Sequence, residues 1–121
     1  MSMEWTVELY EEFEPEFDGY SEAVQDAILA KASLLEREGH QLGRPHVDTL
    51  NASKHANMKE LRCSADDGFW RIAFAFDPAR KAILLTAGDK AGVSEKRFYR
   101  QLIAKADERF DCHLANQKGK A

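Results

Sequence analysis

The sequence predicts one α+β domain with elements in the order strand, helix, three strands, helix. Three observations carry this expectation. Near the start, "WTVELY" (residues 5–10) alternates Trp5, Val7 and Leu9 with Thr6, Glu8 and Tyr10, the two-residue period of a half-buried strand. Between residues 58 and 88 lie three apolar-rich runs joined by short turn-forming links. On either side of them, apolar residues recur at helical spacing.

Taken in chain order, the first strand leads into an acidic stretch around Pro15 and Gly19. Ser21 then offers a side-chain oxygen to cap a helix in which Val24, Ala27, Ile28 and Leu35 share a face, and Gly39 provides its stop. Residues 40–57, "HQLGRPHVDTLNASKHAN", mix Gly, Pro, Asn and Ser without periodicity and read as a long connecting loop, a kind of segment that often carries function. The next strands fall near residues 58–63, 69–76 and 81–88. Their links, "SADDG" and "DPAR", are too short for a crossover, so an antiparallel meander is expected. Ser94 can cap a final helix in which Phe98, Leu102, Ala106 and Phe110 stand four apart, running to about Cys112. The domain is therefore drawn over residues 4–112, with residues 113–121 as a polar tail expected to fray.

A chain of 121 residues is long enough for one core and too short for two. Its 44% apolar content, with both charge signs well represented, excludes disordered and fibrous classes. No apolar run approaches a membrane span and no signal-peptide pattern opens the chain, so a cytoplasmic location without membrane contact is expected. Cys63 and Cys112 have no C-x-x-C pattern or histidine cluster around them, so no metal is expected and both should be reduced, small apolar residues. His40, His46 and His113 lack metal-ligand spacing and read as surface or loop residues. The absence of a Gly-rich phosphate loop and of G-x-S-x-G argues against nucleotide and serine hydrolases.

The formal net charge of −4 hides an asymmetry. Residues 1–26 hold nine acids and no bases, whereas residues 27–121 carry 17 bases against 12 acids, a net of +5. An acidic head before a basic body hints at a polyanion-binding surface, although a charged head can also be only a solvated face.

Each arm of the hairpin at residues 58–77, "MKELRCSADDGFWRIAFAFD", contains an arginine. In "FWRIAFAF", Trp70, Ile72, Phe74 and Phe76 share the core face, and Arg71 shares the other with Ala73 and Ala75, which leaves room for a ligand, a helix or water. With "DPAR" as a four-residue turn, Arg71 lies across from Thr86 and near Lys90 at the exit of the next strand. A five-residue turn would put Arg62 on the opposite face from Arg71, and a bulge near Gly68 would bring the two together; the sequence leaves both registers open. Either arginine can also lie along apolar surface and pair with Glu60, Asp66 or Asp67.

Strand and helix first, then "KELR", "GFWRIAFAF", "ILLTAGDK" and an amphipathic terminal helix: this order resembles the RelE/ParE superfamily of bacterial toxins, and in particular its phage-derived HigB-like branch. The resemblance spans roughly residues 4–112 and is most specific from Met58 to Arg97. It implies a twisted antiparallel sheet of about four strands with an N-terminal helical segment and a C-terminal helix. It also implies a toxin that enters the ribosomal A site and cuts messenger RNA without metal or cofactor, and that a cognate antitoxin partner holds inactive. A homodimer is a further assembly it allows.

Carried onto this chain, the resemblance places functional cations at Arg62, Arg71 and Lys90. Cleavage of this kind uses the neighbouring 2′-hydroxyl as nucleophile, so Arg71 can grip the scissile phosphate with its two-pronged fork while Arg62 or Lys90 adds positive potential. His55 is a candidate base because its ordinary pKa lies near neutrality. Lys54, Lys59, Lys96 and Arg97 are candidate RNA-phosphate contacts. The chain departs from RelE at Glu60, where a catalytic lysine is expected, and from HigB-like relatives at Ala91, which often have a second lysine there. Tyr99 can reach the same area but reads as a packing residue. Two other functions share the fold: a ParE-like inhibitor of DNA gyrase, and an inactive toxin-derived binding module.

Overall fold

A computed structural model describes residues 5–118. Residue 4, the expected start of the domain, and residues 119–121 of the tail lie outside the described residues. The elements are β1 (Thr6–Leu9), α1 (Phe13–Asp18), α2 (Glu22–Glu38), a single 3₁₀ turn (Gly39–Gln41), β2 (Val47–Thr49), β3 (Met58–Ala65), β4 (Gly68–Phe76), β5 (Lys81–Asp89) and α3 (Glu95–Lys118). They form an α+β fold around one five-stranded sheet of order β1-β5-β4-β3-β2.

The sheet is mixed, and in this it differs from the four antiparallel strands expected. β1 pairs parallel with β5, Thr6 to Lys81 through Leu9 to Leu84, because α1 and α2 intervene before the meander begins. The fifth strand lies inside the segment read as a loop: Val47–Thr49 pairs antiparallel with Lys59–Leu61. Three residues are too few to show a period, which is why the pattern of the sequence hid it.

The helices cover both faces. Ser21 caps α2 by accepting the Val24 N–H at 3.2 Å, and α2 buries Val24, Ile28, Ala32 and Leu35. With Phe13 and Phe17 of α1 it covers Leu61, Ile72, Phe74 and Leu84. Gly39 stops α2 at φ +58°, and a Cβ there would stand 1.9 Å from Trp5 Nε1, so only glycine fits both the backbone and the neighbour. The opposite face, including Ala73 and Ala75, is filled by Phe98, Leu102, Ala106 and Phe110 of α3. A helix is therefore the occupant of the space beside the two alanines.

α3 does not end near Cys112. It continues to Lys118 because His113 Nε2 and Gln117 Nε2 both reach Asp77 Oδ2 in the β4–β5 turn, at 2.8 and 2.6 Å, and Leu114 packs on the core. Polar anchors of this kind leave no apolar stripe to read. Farther back, buried Arg109 donates to Leu85 O at 2.7 Å and grips Glu16 at 3.0 and 2.6 Å, so part of the acidic head is a structural partner for α3. Cys63 is buried and Cys112 exposed, both free, so Cys112 departs from the apolar role expected of it.

Candidate functional site

The β3–β4 hairpin settles the arginine geometry. Its turn is only Asp66-Asp67, both residues in the left-handed region at φ +50° and +60°, the backbone that a tight two-residue hairpin turn requires. Ala65 thus pairs with Gly68 and Arg62 directly with Arg71, with no bulge at Gly68. Arg62 bonds to Glu60 and Asp48, while Asp66 is occupied by the Ser21 hydroxyl. On the other side of β4, Arg71 pairs with Gly88 and Thr86 with Ala73. Two single-residue steps, a longer turn and a bulge between Ala73 and Phe74, shift the expected register by two and so preserve the face.

Two opposed cations repel unless something sits between them. Glu60, 3% exposed and two residues from Arg62 on the same strand, is the hub. Its Oε2 accepts from Arg62 Nε at 3.2 Å, its Oε1 accepts from the Tyr99 hydroxyl at 2.8 Å, and Arg71 Nε lies 3.9 Å from Oε1. Arg71 Nη1 donates to Trp70 O at 3.1 Å, and Nε is the one buried side-chain nitrogen or oxygen without a hydrogen-bond partner among the described residues. An unsatisfied buried N–H carries a desolvation cost of roughly 1–3 kcal/mol that an incoming acceptor would remove. Lys90 Nζ lies 5.8 Å from the Tyr99 ring centre and 3.1 Å from Glu95 Oε1, which completes the cluster.

Burial, then the hydrogen bond to Glu60, push the Tyr99 phenol above its ordinary value, so it is protonated at neutral pH. Burial pulls Arg62 down, but the Glu60 carboxylate outweighs that and leaves it raised. Glu60, Arg62 and Tyr99 line a cavity of about 280 Å³ between α3 and the 49–52 segment. Through Ala52, Glu95, Tyr99 and Ile103 it joins a groove of about 680 Å³ along the start of α3.

The structure brings Arg62, Arg71 and Lys90 together and separates the other candidates from them. His55 Nε2 meets Asp111 Oδ1 at 2.8 Å and its ring stands edge-on to Phe110. Asp111 lies twelve residues beyond Tyr99, about 18 Å along the helix. Lys54 pairs with the same Asp111. Lys59 alternates onto the face of Leu61 and Cys63, away from Arg62. Lys96 and Arg97 are exposed in the first turn of α3, and Lys96 lines the larger groove. Among the described residues, no three of His, Cys, Asp and Glu gather as metal ligands would.

Tyr99, expected as a packing residue, does pack against the core and also donates its hydroxyl to Glu60, the residue expected to stand in the place of a lysine. The available signal was position: Tyr99 stands one residue off the Phe98–Leu102–Ala106–Phe110 stripe, which places its ring at the rim of the buried face.

Against known families, the model of the phage-derived Gp49-like proteins (DUF891) matches residues 15–111. The chain belongs to that family. The Gp49-like chain is 44% identical over 115 residues to HigB2 of Mycobacterium tuberculosis (strain ATCC 25618 / H37Rv), a candidate toxin, covering 94% of this chain and 56% of that protein's length. It is 50% identical over 93 residues to HigB3, a candidate toxin of the same organism, covering 77% of this chain and 79% of the relative. The chain thus spans little more than half of one relative and most of the other. Its fold matches that of a free arginine-to-alanine double mutant of the E. coli toxin RelE, with a TM-score of 0.58 at 12% identity over 85% of this chain and 97% of that one. The Gp49-like chain therefore has the RelE fold and sits with the HigB-like branch, as its motifs suggested. Among the described residues, no helix is long and apolar enough to cross a membrane.

Proposed function

We propose that this protein is the toxin of a toxin–antitoxin pair and acts in the cytoplasm as a ribosome-dependent, metal-independent endoribonuclease on messenger RNA, restrained by a cognate antitoxin. The kinship with the HigB proteins supports the toxin role. RNA cleavage is supported above all by the direct pairing of Arg62 with Arg71 beside a protonated phenol.

In this mechanism the 2′-hydroxyl attacks the adjacent phosphorus and the bond to the 5′-oxygen breaks, leaving a 2′,3′-cyclic phosphate and a 5′-hydroxyl. Arg71 grips the phosphate, which also satisfies its orphaned Nε, and stabilises the extra charge of the phosphorane with Arg62 and Lys90. The Glu60 carboxylate takes the 2′-hydroxyl proton and Tyr99 gives its proton to the 5′-oxygen. Their shared hydrogen bond then returns the proton from Glu60 to the Tyr99 oxygen and resets both groups.

One observation favours a second function, a toxin-derived binding module without cleavage: the salt bridge from Glu60 already engages Arg62 where an active relative would present free positive charge. Mapping transcript 5′ ends by primer extension after induction separates these. Growth arrest with new, ribosome-dependent ends supports the nuclease. Intact transcripts remove it, and gyrase inhibition in their place would mark a ParE-like poison.

A further inference from the structure

The Arg62–Arg71 pair has a second open side. β2 leaves the edge of β3 at Val47, so Cys63, Ser64 and Ala65 lie beyond its register, and a groove of about 560 Å³ opens there. It is lined by Lys31 of α2, by Pro45, and by Arg62, Ser64, Phe69 and Arg71 of the hairpin. Three cations converge on it. Among the described residues Lys31 has no carboxylate partner; its ammonium meets only the His46 ring, at 2.7 Å from Nδ1. Arg71 keeps its unpartnered Nε. Phe69 is 52% exposed and stands on β4 two residues before Arg71, on the same face and about 7 Å along the strand, with Ser64 opposite it.

A lysine without a carboxylate partner and two arginines that share the one buried Glu60 carboxylate, beside a bare aromatic ring, suit a single-stranded nucleic acid, whose phosphates take the cations and whose base covers the ring. An acidic peptide would use the cations and leave Phe69 uncovered. We propose that this groove is a second nucleotide subsite, in which Phe69 stacks a base of single-stranded RNA next to the phosphate held by Arg71 and Lys31 pairs with the phosphate of that nucleotide. The assignment rests on RNA being the substrate, and it extends the site beyond the reacting phosphate.

The test is fluorescence anisotropy with a short 2′-O-methyl RNA, which cannot be cut. Phe69→Ala should weaken binding roughly five- to hundredfold while Phe69→Tyr stays close to wild type. Lys31→Ala should weaken it and lower the salt slope by about one. An abasic nucleotide placed at the subsite should weaken the wild type and add nothing in Phe69→Ala. Wild-type affinity in Phe69→Ala, independent losses from the abasic site and the mutation, no binding at all, or equal competition by a glutamate-rich peptide would each overturn the subsite. Because nothing is cleaved, binding with these dependencies alongside intact transcripts keeps the subsite and loses the nuclease. Transcript cleavage that ignores both Phe69 and Lys31 does the reverse.

Discussion

Arg62 and Arg71 are a single register pair, two guanidinium groups opposed across the β3–β4 ladder with the buried Glu60 carboxylate as their common neighbour. The turn that fixes this pairing is short, strained and remote from the charges it aligns. A one-residue lengthening would send Arg62 to the α2 face.

The turn can be tested alone. Asp67 sits at φ +60°, a conformation that costs an ordinary side chain about 1 kcal/mol and glycine little. Asp67→Gly should raise the melting temperature and Asp67→Val should lower it. Equal melting of the two variants would show that the turn does not hold the register.

Tyr99→Phe keeps the ring that packs beside Phe98 and removes only the hydroxyl that donates to Glu60. Stability should change by about 1 kcal/mol. Cleavage should fall roughly 10²- to 10⁴-fold if the phenol is the proton donor. A rate unchanged while the protein stays folded would leave Tyr99 as packing alone.

Arg109 is 7% exposed and ties α3 to Glu16 and to Leu85 O, and its hydrogen bond to Glu16, opposed by burial, holds that carboxyl below its usual range. Arg109→Ala should destabilise the fold by about 2–4 kcal/mol, with Glu16 already partly open to water, as read by urea unfolding. A loss below ~0.5 kcal/mol would reduce the pair to surface decoration.

Burial alone would raise Asp77, but hydrogen bonds from His113, the Lys81 N–H and Gln117 outweigh it and hold the folded carboxyl below its ordinary value. A depressed folded pKa means stability that is complete above the unfolded value near 4 and is lost as pH falls through the folded one. The melting gap between the wild type and Asp77→Asn should therefore be full at pH 7 and shrink as the pH is taken below about 4. A constant gap across that range would mean that the carboxylate's charge plays no part in anchoring the end of α3.

Periodicity made the long elements legible. The four-residue spacing from Phe98 to Phe110 and the alternation in "FWRIAFAF" both appear as buried faces, and Arg71 and Lys90, expected to converge from a four-residue turn, both come to Tyr99 although the register is shifted by two. What stayed hidden depends on long-range contacts. Val47–Thr49 is a strand only because β3 offers an edge, and His113 and Gln117 extend α3 only because Asp77 is there to receive them. The pairing of Arg62 with Arg71 turned on two aspartates adopting positive φ, which composition does not announce. Of the candidate site, the three cations were visible in sequence. Glu60 looked like a missing lysine, and its role as their bridge appears only when the strands are paired.

The most direct test compares wild type and Arg71→Ala for transcript cleavage on translating ribosomes, with circular dichroism and melting to establish that both are folded. Loss of the phosphate grip should reduce cutting by roughly 10²- to 10³-fold, with the variant still folded. Cutting at the wild-type rate by folded Arg71→Ala would contradict the account.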